Sequence, residues 1–600
     1  MSLAIERKAS HPQAKGIKRY LPPVDSRTYH LMLGLVAVLI LGPLGGISAA
    51  FMNFSIGFYV GGQVLAGILG SVVTLPYGPE GKHGANYMQT MAASVAGMAA
   101  MGVLIQARHW LGMAEVASWQ LIIFYGCIGM FGVGVGMLYT PVLVDRMQLA
   151  FPSGFAVANI LRALTDPALL RRSVVKLGSG IAIGYGVGLA SLQVAAIGVT
   201  GLSASTVGAG MIVGARIAIP ALVVSVTGFL AQPYLVRIGW LSAGDPYRKI
   251  GFVIALGGIL GAAMLDITLI MIKAVRRFRD KSLIAPPQED WKRVNSLRLV
   301  LWVVFWGTAV VIAGHWMMGE PLRFLLVAVG LSFLFVLVNG ISQGISDWNP
   351  ISSAFVLTVF ILAAIGLTDT GTGLMCASIL LIACAEGGDM QQDRSTGWRL
   401  GTNRVIQFRY QIIGIAFGAV LAVALADIFL RAFPVLVLDQ FGHHVPGAQH
   451  WQSAMTYKFV GALRGITSGQ PQVMHALWLG ISAGLAIETI RKLVKRSVRF
   501  QRFSRATATG RTVEFLFDAV LMPCPYASSF GGFVELVTVL WWAAGGIGSS
   551  LFNAFARQRQ GAGDLPDDMS TTSLAGGGLI AGDSLSALSV GVYGLLKTVF

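Results

Sequence analysis

The sequence predicts an all-α polytopic membrane protein with about 14 to 16 transmembrane or re-entrant helices. Apolar residues make up 55% of the 600 residues and charged residues only 12%, whereas soluble domains carry about 25% charged residues. The mean hydropathy is +0.69. Because lipid offers no partner for open backbone groups, only helices or closed barrels cross it, and these apolar runs are too long and too uniform for barrel strands.

The apolar runs give the predicted segments in chain order. They begin near Leu31, Phe54, Tyr87, Gln120, Val174, Thr206, Gly251, Leu299, Phe324, Ser352, Thr372, Val405, Val473, Val513 and Leu574. Because the N-terminal tail and the cluster at Lys273 are both predicted to be cytoplasmic, the chain must cross the membrane an even number of times between them, and this requires one more segment. Either the run around Pro220 is split or the piece from Phe151 to Leu164 also crosses. The prolines in Met522–Tyr526 predict a broken helix.

The basic excess predicts how the chain is oriented. The net charge of +17 is concentrated in short loops, as the positive-inside rule describes, so we expect a lipid bilayer around the protein and no nucleic-acid partner. The clusters in the N-terminal tail (1–29), at Lys273–Lys281 and at Arg491–Arg511 are predicted to be cytoplasmic. Compact loops favour the inner membrane of a bacterium.

The rest of the chain predicts one transmembrane domain, 30–600. A polar stretch with Pro286 and Pro287 divides it into two expected halves, 30–285 and 298–600, and pseudo-repeated halves with broken central helices are common in secondary transporters. Glycine contributes 75 residues, many in small-residue helices such as Gly126–Gly136. Close helix packing explains most of these glycines, and broken helices beside a pore are the alternative.

Three carboxylates interrupt an apolar run and are the strongest functional signal. Glu386, Asp389 and Asp393 stand three and four residues apart, so in a helix they share one face. Carboxylates at membrane depth mark ion paths, proton relays or substrate sites, and we assign all three to proton coupling. Gln392 and Asp393 are also predicted to bind a substrate, because the acidic face attracts an amino group. The alternative is a solvated helix end with Arg394 as partner.

Uncharged polar residues in another apolar segment suit a peptide backbone. Asn86, Gln89 and Thr90 occur at helical spacing, and their amides and hydroxyl offer the donors and acceptors that peptide groups need. We predict that they bind substrate. Hydrogen bonding between helices is the alternative.

A third polar stretch follows the Gly126–Gly136 run. We predict substrate binding by Tyr139, Arg146 and Ser153, because proline at 152 suits the first turn of a helix and a helix N-terminus can hold a carboxylate. The alternative for Asp145 and Arg146 is an ion pair with each other at the membrane edge.

The sequence has few features of an enzyme or of a metal-binding site. We find no His-Glu-x-x-His motif, no Gly-x-Ser-x-Gly elbow and no Walker motif, so we predict no catalytic residue, no metal site and no cofactor. The four cysteines lie in or beside apolar runs, and no cysteine or acidic cluster accompanies His443, His444 and His450. A membrane-embedded enzyme and a channel remain the alternatives to a transporter, and homo-oligomerisation is left open.

Four stretches together resemble the oligopeptide transporter family, which includes the yellow-stripe-like metal-chelate transporters. They are Asn86–Gly97, Arg146–Ala158, Gly388–Gly397 with Gln407 and Gln411–Gly414 downstream, and Gly578–Leu585. The family usually has lysine where Arg394 or Ser395 stands, proline near Asn403 and glutamate where Asp583 stands. The resemblance implies a secondary transporter, commonly proton-coupled, that carries small oligopeptides or peptide-like metal chelates.

Overall fold

The computed structural model describes most of the chain, and the helices below are those of the described residues. These are 21–55, 62–149, 151, 154, 157–158, 161, 167–194, 200–279, 289–346, 349–441, 445, 448, 451–467, 471–560, 570–572, 574–576, 578–579, 582–583, 585–586 and 589. Within them the secondary structure is helical and no strand occurs, which confirms the all-α class. Ser153 and the three histidines of the loop near 443 lie outside the described residues.

The α-helices of the described residues follow in chain order. They are α1 (Arg27–Val36), α2 (Gly42–Ser55), α3 (Gly62–Thr74), α4 (Gly81–Ala99), α5 (Gly102–Trp110), α6 (Ser118–Thr140), α7 (Pro167–Gln193), α8 (Ala204–Val213), α9 (Ala215–Arg237), α10 (Arg248–Arg279), α11 (Ser296–Ile312), α12 (Leu322–Ser346), α13 (Ile351–Ala364), α14 (Thr370–Leu400), α15 (Arg404–Ala432), α16 (Ala454–Thr467), α17 (Pro471–Arg496), α18 (Val498–Ala506), α19 (Ala508–Leu516), α20 (Pro525–Phe533) and α21 (Leu536–Gln560). Short π-helical turns continue several of them, including Pro141–Arg146 after α6 and Phe517–Leu521 after α19.

Nine helical stretches of the described residues are long and apolar enough to cross a membrane. They are Arg27–Ser55, Leu69–Trp110, Ser118–Arg146, Ala215–Arg237, Asp290–Met317, Leu322–Ile341, Thr370–Leu400, Arg404–Ala432 and Leu536–Ala556. Ala354–Ala364 is a shorter apolar helix. The protein is therefore a multi-pass membrane protein, while the total of 14 to 16 segments stays a prediction.

Two helices form the centre of the bundle. The most apolar part of α14 is 100% buried and that of Leu69–Trp110, which contains α4, is 94% buried, against 28% for α9. A helix that faces lipid leaves one side exposed, so these two helices are surrounded by protein on all sides. The polar residues that they carry lie in the protein interior.

Glycine allows α6 to pack directly on α14. A Cβ atom at Gly132 would lie 2.5 Å from the Ala383 Cα, and one at Gly136 would lie 2.6 Å from the Gly387 Cα. Both distances are shorter than real Cβ contacts, so no larger residue fits without moving a backbone. The close-packing interpretation of these glycines is confirmed, because small residues let membrane helices approach.

The two ends of the bundle are marked by different contacts. At the N-terminal end, Gly84 lies against the Tyr29 hydroxyl, and Tyr410 hydrogen-bonds the His30 ring at 3.0 Å. At the opposite end, Trp110 Nε1 donates to the Leu436 carbonyl at 2.8 Å. α14 runs from this opposite end towards the N-terminal end. Near its last turns, Asp393 contacts Gln89 of α4 and Arg394 contacts Gln407 at the start of α15.

The other long helices form further glycine-lined pairs. Gly257 of α10 lies against Gly480 of α17, and Gly210 of α8 lies against Trp542 of α21. Each of these contacts joins a helix of 30–285 to a helix of 298–600. The division into two halves stays a prediction.

Two irregular regions lie where the sequence predicts an additional membrane-crossing segment before Lys273. The apolar run that contains Pro220 is split at Gly214, which lies between α8 and α9 and has a φ of 73°. Pro220 itself stands inside α9. Phe151 also lies against the bundle, because its amide donates to the Gly344 carbonyl at 2.9 Å. The predicted break at Met522–Tyr526 is confirmed, since the π turn ends at Leu521 and α20 begins at Pro525.

Candidate functional site

α14 carries the acidic cluster on one uninterrupted helix. Its 31 residues begin after Asp369, whose carboxylate accepts the Thr372 amide, and end at Gly401, whose φ of 74° terminates the helix. The pair Gly387-Gly388 lies inside the helix without breaking it. Glu386, Asp389 and Asp393 therefore share one helix face, as their spacing predicts.

The three acids are held in the interior rather than in bulk solvent. Glu386 and Asp393 have 0% exposure, and Asp389 is half-buried. A Cβ atom at Gly97 of α4 would lie 3.0 Å from Glu386 Oε1 and 3.1 Å from Asp389 Oδ2. Glycine at this position thus leaves room for two carboxylates above the backbone of α4.

Asp393 is fixed by residues of α4 and α15. Gln89 Nε2 donates to Asp393 Oδ1 at 2.6 Å. Gln407 Nε2 donates both to the Thr90 hydroxyl and to the Asp393 carbonyl, at 2.8 Å each. Two of the predicted substrate residues, Gln89 and Thr90, are therefore brought together with a predicted proton-coupling residue.

The carboxylate of Glu386 has fewer hydrogen-bond partners than that of Asp393. Within the described residues neither of its carboxylate oxygens has a hydrogen-bond partner, and Ser94 and Gln411 are the polar side chains beside it. Gln411 Nε2 donates instead to the Glu386 carbonyl at 3.1 Å. A buried carboxylate in such surroundings is stable when it carries a proton, because the charged form is costly without partners.

Gln392 lies on a different face of α14. Its Oε1 accepts a hydrogen bond from Gln343 Nε2 of α12 at 2.5 Å. Its backbone carbonyl would lie 2.8 Å from a Cβ at Gly154, and the Thr396 hydroxyl donates to the Gly154 carbonyl at 2.9 Å. Gly154 therefore lies beside α14, while Ser153 is outside the described residues.

Asn86 is the most conspicuous polar residue of α4. Its side chain has 0% exposure, and neither its amide nitrogen nor its amide oxygen has a partner among the described residues. Buried amides are nearly always hydrogen-bonded in folded proteins. This side chain is therefore able to accept a polar ligand or a water molecule.

Tyr139 and Arg146 are placed differently from the acids. The half-buried Tyr139 donates its hydroxyl to the Phe333 carbonyl at 3.0 Å, and Arg146 is exposed at the end of its π turn. Within the described part of the chain, neither residue forms a hydrogen bond or ion pair with Glu386 or Asp393. Their role in binding stays a prediction.

Two buried arginines add positive side chains to the site at its N-terminal end. Arg404 pairs with Asp145, and among the described residues no ion pair joins Asp145 to its neighbour Arg146. Arg394 donates to Gln407 Oε1 and to the Thr402 carbonyl. The contact between Asp145 and Arg404 joins distant parts of the chain and has no signal in the sequence, whereas the sequence already places Arg394 beside the acidic residues.

Metal ligands are scarce in this region. Within the residues that the structure describes, no group of three histidine, cysteine or acidic side chains could hold a metal ion. Cys127, Cys376 and Cys384 are buried free thiols, as expected of small core residues. The site is thus a cluster of acids, amides and guanidinium groups, which can bind protons and polar organic groups.

Comparison with known proteins identifies the family. The sequence profile of the OPT oligopeptide transporter protein family matches residues 31–262 and 288–592. The chain is 24% identical over 179 residues to a probable metal-nicotianamine transporter, YSL13, of Oryza sativa subsp. japonica. The matched segment makes up 29% of this chain and 24% of that protein. The chain is also 26% identical over 157 residues to a probable metal-nicotianamine transporter, YSL8, of Arabidopsis thaliana, which covers 25% and 21%.

These relatives are matched over about a quarter of their length, whereas the family profile extends over most of the chain. The same profile includes α4, α14 and α15, the three helices that form the site. The chain belongs to the OPT oligopeptide transporter family.

Proposed function

We propose that this protein is a proton-coupled symporter of small oligopeptides or peptide-like metal chelates. The observation that carries the proposal is the burial of Glu386 and Asp393 in the innermost helix of a membrane transporter, beside amide side chains of α4 and α15. Ionisable residues inside a membrane protein are expensive and are kept for function.

Proton coupling is assigned to the acidic face of α14. A protonated carboxylate is neutral and tolerates the interior, while the ionised form needs water or a cation. If the cluster is opened to one side of the membrane and then to the other, Glu386, Asp389 and Asp393 take up a proton on one side and release it on the other. Gly97 keeps Glu386 and Asp389 close enough for the charge on one to influence the other.

Substrate binding is assigned to the polar residues around Asp393. Asn86, Gln89, Thr90 and Gln392 present amides and a hydroxyl, which match the donors and acceptors of a peptide backbone. Asp393 suits the amino group of a substrate. We keep Tyr139, Arg146 and Ser153 as further contacts that form when the helices rearrange.

The metal-chelate form of the proposal is favoured by the named relatives, which are probable metal-nicotianamine transporters. A peptide-like chelator enters with its metal already bound, so the transporter needs no metal ligands of its own. This fits a site that is built from acids and amides. Membership of a transporter family also favours transport over the alternatives of an enzyme or a channel.

Uptake into vesicles tests the proposal. The purified protein is reconstituted into liposomes with an outside-acid pH gradient, and uptake of trialanine and of the nickel chelate of nicotianamine is measured. We expect accumulation of one of them, abolished by a protonophore. Accumulation that is unchanged by the protonophore would refute proton coupling, and unitary currents in a planar bilayer would instead favour a channel.

We also propose that the protein lies in the inner membrane of a bacterium with its N-terminus in the cytoplasm. The support is the distribution of basic residues in short loops and the exposure of the arginines in α18.

A further inference from the structure

Arg394 is a charged side chain in an unusual position. It has 0% exposure and is among the largest fully buried side chains of the protein. A buried cation is normally compensated by a carboxylate, because the desolvation penalty of several kcal/mol is otherwise unrecovered. Among the described residues, however, no carboxylate lies within ion-pair distance of its guanidinium group.

The partners of Arg394 are neutral. One terminal nitrogen donates to Gln407 Oε1, the other donates to the Thr402 carbonyl at 3.4 Å, and Nε has no partner within the described chain. These contacts use only part of a group that has five N–H donors. The guanidinium therefore retains some of its hydrogen-bonding capacity.

The nearby carboxylates are engaged elsewhere. Asp145 forms its ion pair with Arg404, and Asp393 accepts from Gln89. Both acids and both arginines belong to one neighbourhood, so the Arg394 guanidinium and the Asp393 carboxyl group lie near each other without a direct ion pair.

Glycine at 397 determines where the guanidinium packs. A Cβ atom at Gly397 would lie 2.6 Å from Gln407 Oε1 and 3.1 Å from Arg394 Nη1. Any larger residue at 397 would press against both groups. The absence of a side chain at 397 therefore lets the guanidinium lie directly against the backbone of α14.

We propose that Arg394 binds a carboxylate group of the substrate, while Asp393 next to it binds an amino group. The inference rests on the proposed function and names the residue that holds the free carboxylate of its substrate. The planar fork of arginine matches a carboxylate with two parallel hydrogen bonds. The substrate reaches this point when the helices separate during the transport cycle.

The test compares ligands that differ only in the carboxylate. Binding of trialanine, of trialanine amide and of the nickel chelate of nicotianamine is measured by calorimetry on the full-length protein and on Arg394→Gln. We expect the unchanged protein to bind trialanine roughly 10- to 100-fold more tightly than its amide, the range for a hydrogen bond to a charged group. In Arg394→Gln this preference should disappear and the affinity for the chelate should fall.

Arg399→Gln is the matched control, because Arg399 lies on the same helix, is half-buried and donates to the Ser395 carbonyl at 3.0 Å. It should keep the preference of the unchanged protein. If Arg394→Gln does not fold, Arg394→Lys replaces it, which keeps the charge, loses the fork and should reduce the preference in part.

The outcomes separate the inference from the proposed function. If the unchanged protein binds a carboxylate ligand and the Arg394 variant keeps the same preference over the amide, the carboxylate assignment is wrong and the transporter proposal stands. If the variant loses acid and amide equally, Arg394 has a structural role and the assignment is again wrong. If the unchanged protein binds none of the three probes, the proposed function fails together with the inference.

Discussion

At the scale of single residues, Glu386 is the group whose surroundings differ most from those of a structural acid. It has no exposed surface, no hydrogen bond to its carboxylate within the described residues, and a glycine opposite it that brings Asp389 close. A residue that merely stabilised the fold would have partners for a buried charge. A proton carrier needs instead to exist in both forms at different stages of a cycle.

Glu386→Gln should therefore lower proton-driven uptake roughly 10-fold or more, while the protein is still produced in the membrane. Glutamine keeps the size of the side chain and removes its proton. Asp427→Asn is the control, because Asp427 is an exposed acid that pairs with Arg431 on the surface of α15. Full uptake by Glu386→Gln would show that this carboxylate has no part in coupling.

The Asp145–Arg404 pair gives a prediction about stability. Arg404 is 1% exposed, so Asp145→Asn leaves a buried cation without its carboxylate and should lower the free energy of unfolding by about 3 kcal/mol. Thermal denaturation in detergent measures the change. Asp427→Asn, which breaks an exposed pair, should cost less than about 1 kcal/mol. Equal melting temperatures for the two variants would contradict the assignment of Arg404 as a buried, paired cation.

The acids of this site could be predicted from the sequence and their partners could not. Helical spacing placed Glu386, Asp389 and Asp393 on one face, because the period of a helix is fixed. The contact between Asp145 and Arg404 joins residues on different helices, and nothing in either local pattern specifies it. Ion pairs between distant segments depend on the packing of the whole bundle.

At the scale of helices, the contact between α6 and α14 positions the site. Gly132 and Gly136 allow α6 to lie directly on the α14 backbone at Ala383 and Gly387, next to Glu386. The Gly126–Gly136 run and the Gly387-Gly388 pair are thus two sides of one contact. A displacement here would move Glu386 relative to Gly97.

Gly136→Ala should lower the free energy of unfolding by about 1–3 kcal/mol, since the added methyl group meets the Gly387 backbone and overpacking forces helices apart. Gly330→Ala on α12 is the control, because a Cβ there has no atom within 4 Å and alanine favours a helix by up to about 1 kcal/mol. Melting curves of the two variants make the comparison. A Gly136→Ala protein as stable as Gly330→Ala would refute the close contact.

Helix continuity was harder to predict than helix existence. Two adjacent glycines and six charged or amide residues from Glu386 to Arg394 left a solvated helix end as the alternative, yet α14 continues to Leu400 because its neighbours supply partners for several of those side chains. Conversely, α21 was not among the predicted segments, although Leu536–Ala556 is apolar enough to cross a membrane. Tertiary contacts override local composition in a large bundle.

At the scale of the whole molecule, the basic clusters and the helix order make a prediction about orientation. In a protein without reactive surface cysteines, Arg502→Cys in the exposed part of α18 should be labelled by a membrane-impermeant maleimide only in inverted vesicles. Glu115→Cys, exposed between α5 and α6, should be labelled only in right-side-out vesicles. Labelling of both from one side would contradict the orientation drawn from charge.

The membrane class and the family features were readable from composition and motifs, because lipid imposes long apolar helices on any chain. The arrangement of helices was not, since the pairs α10 with α17 and α8 with α21 connect segments far apart in the chain. Long-range pairing of similar apolar helices depends on small differences in shape that one sequence does not display.

The most direct test of the acidic cluster as a proton carrier is the movement of protons themselves. Liposomes that contain the reconstituted protein and a trapped pH-sensitive dye, without an imposed gradient, receive trialanine or the nickel chelate of nicotianamine from outside. We expect the lumen to acidify as the solute enters, and we expect Asp393→Asn to lose this acidification while Asp427→Asn retains it. Solute entry with no change of internal pH, or acidification that persists in Asp393→Asn, would contradict the role given to the carboxylates of α14.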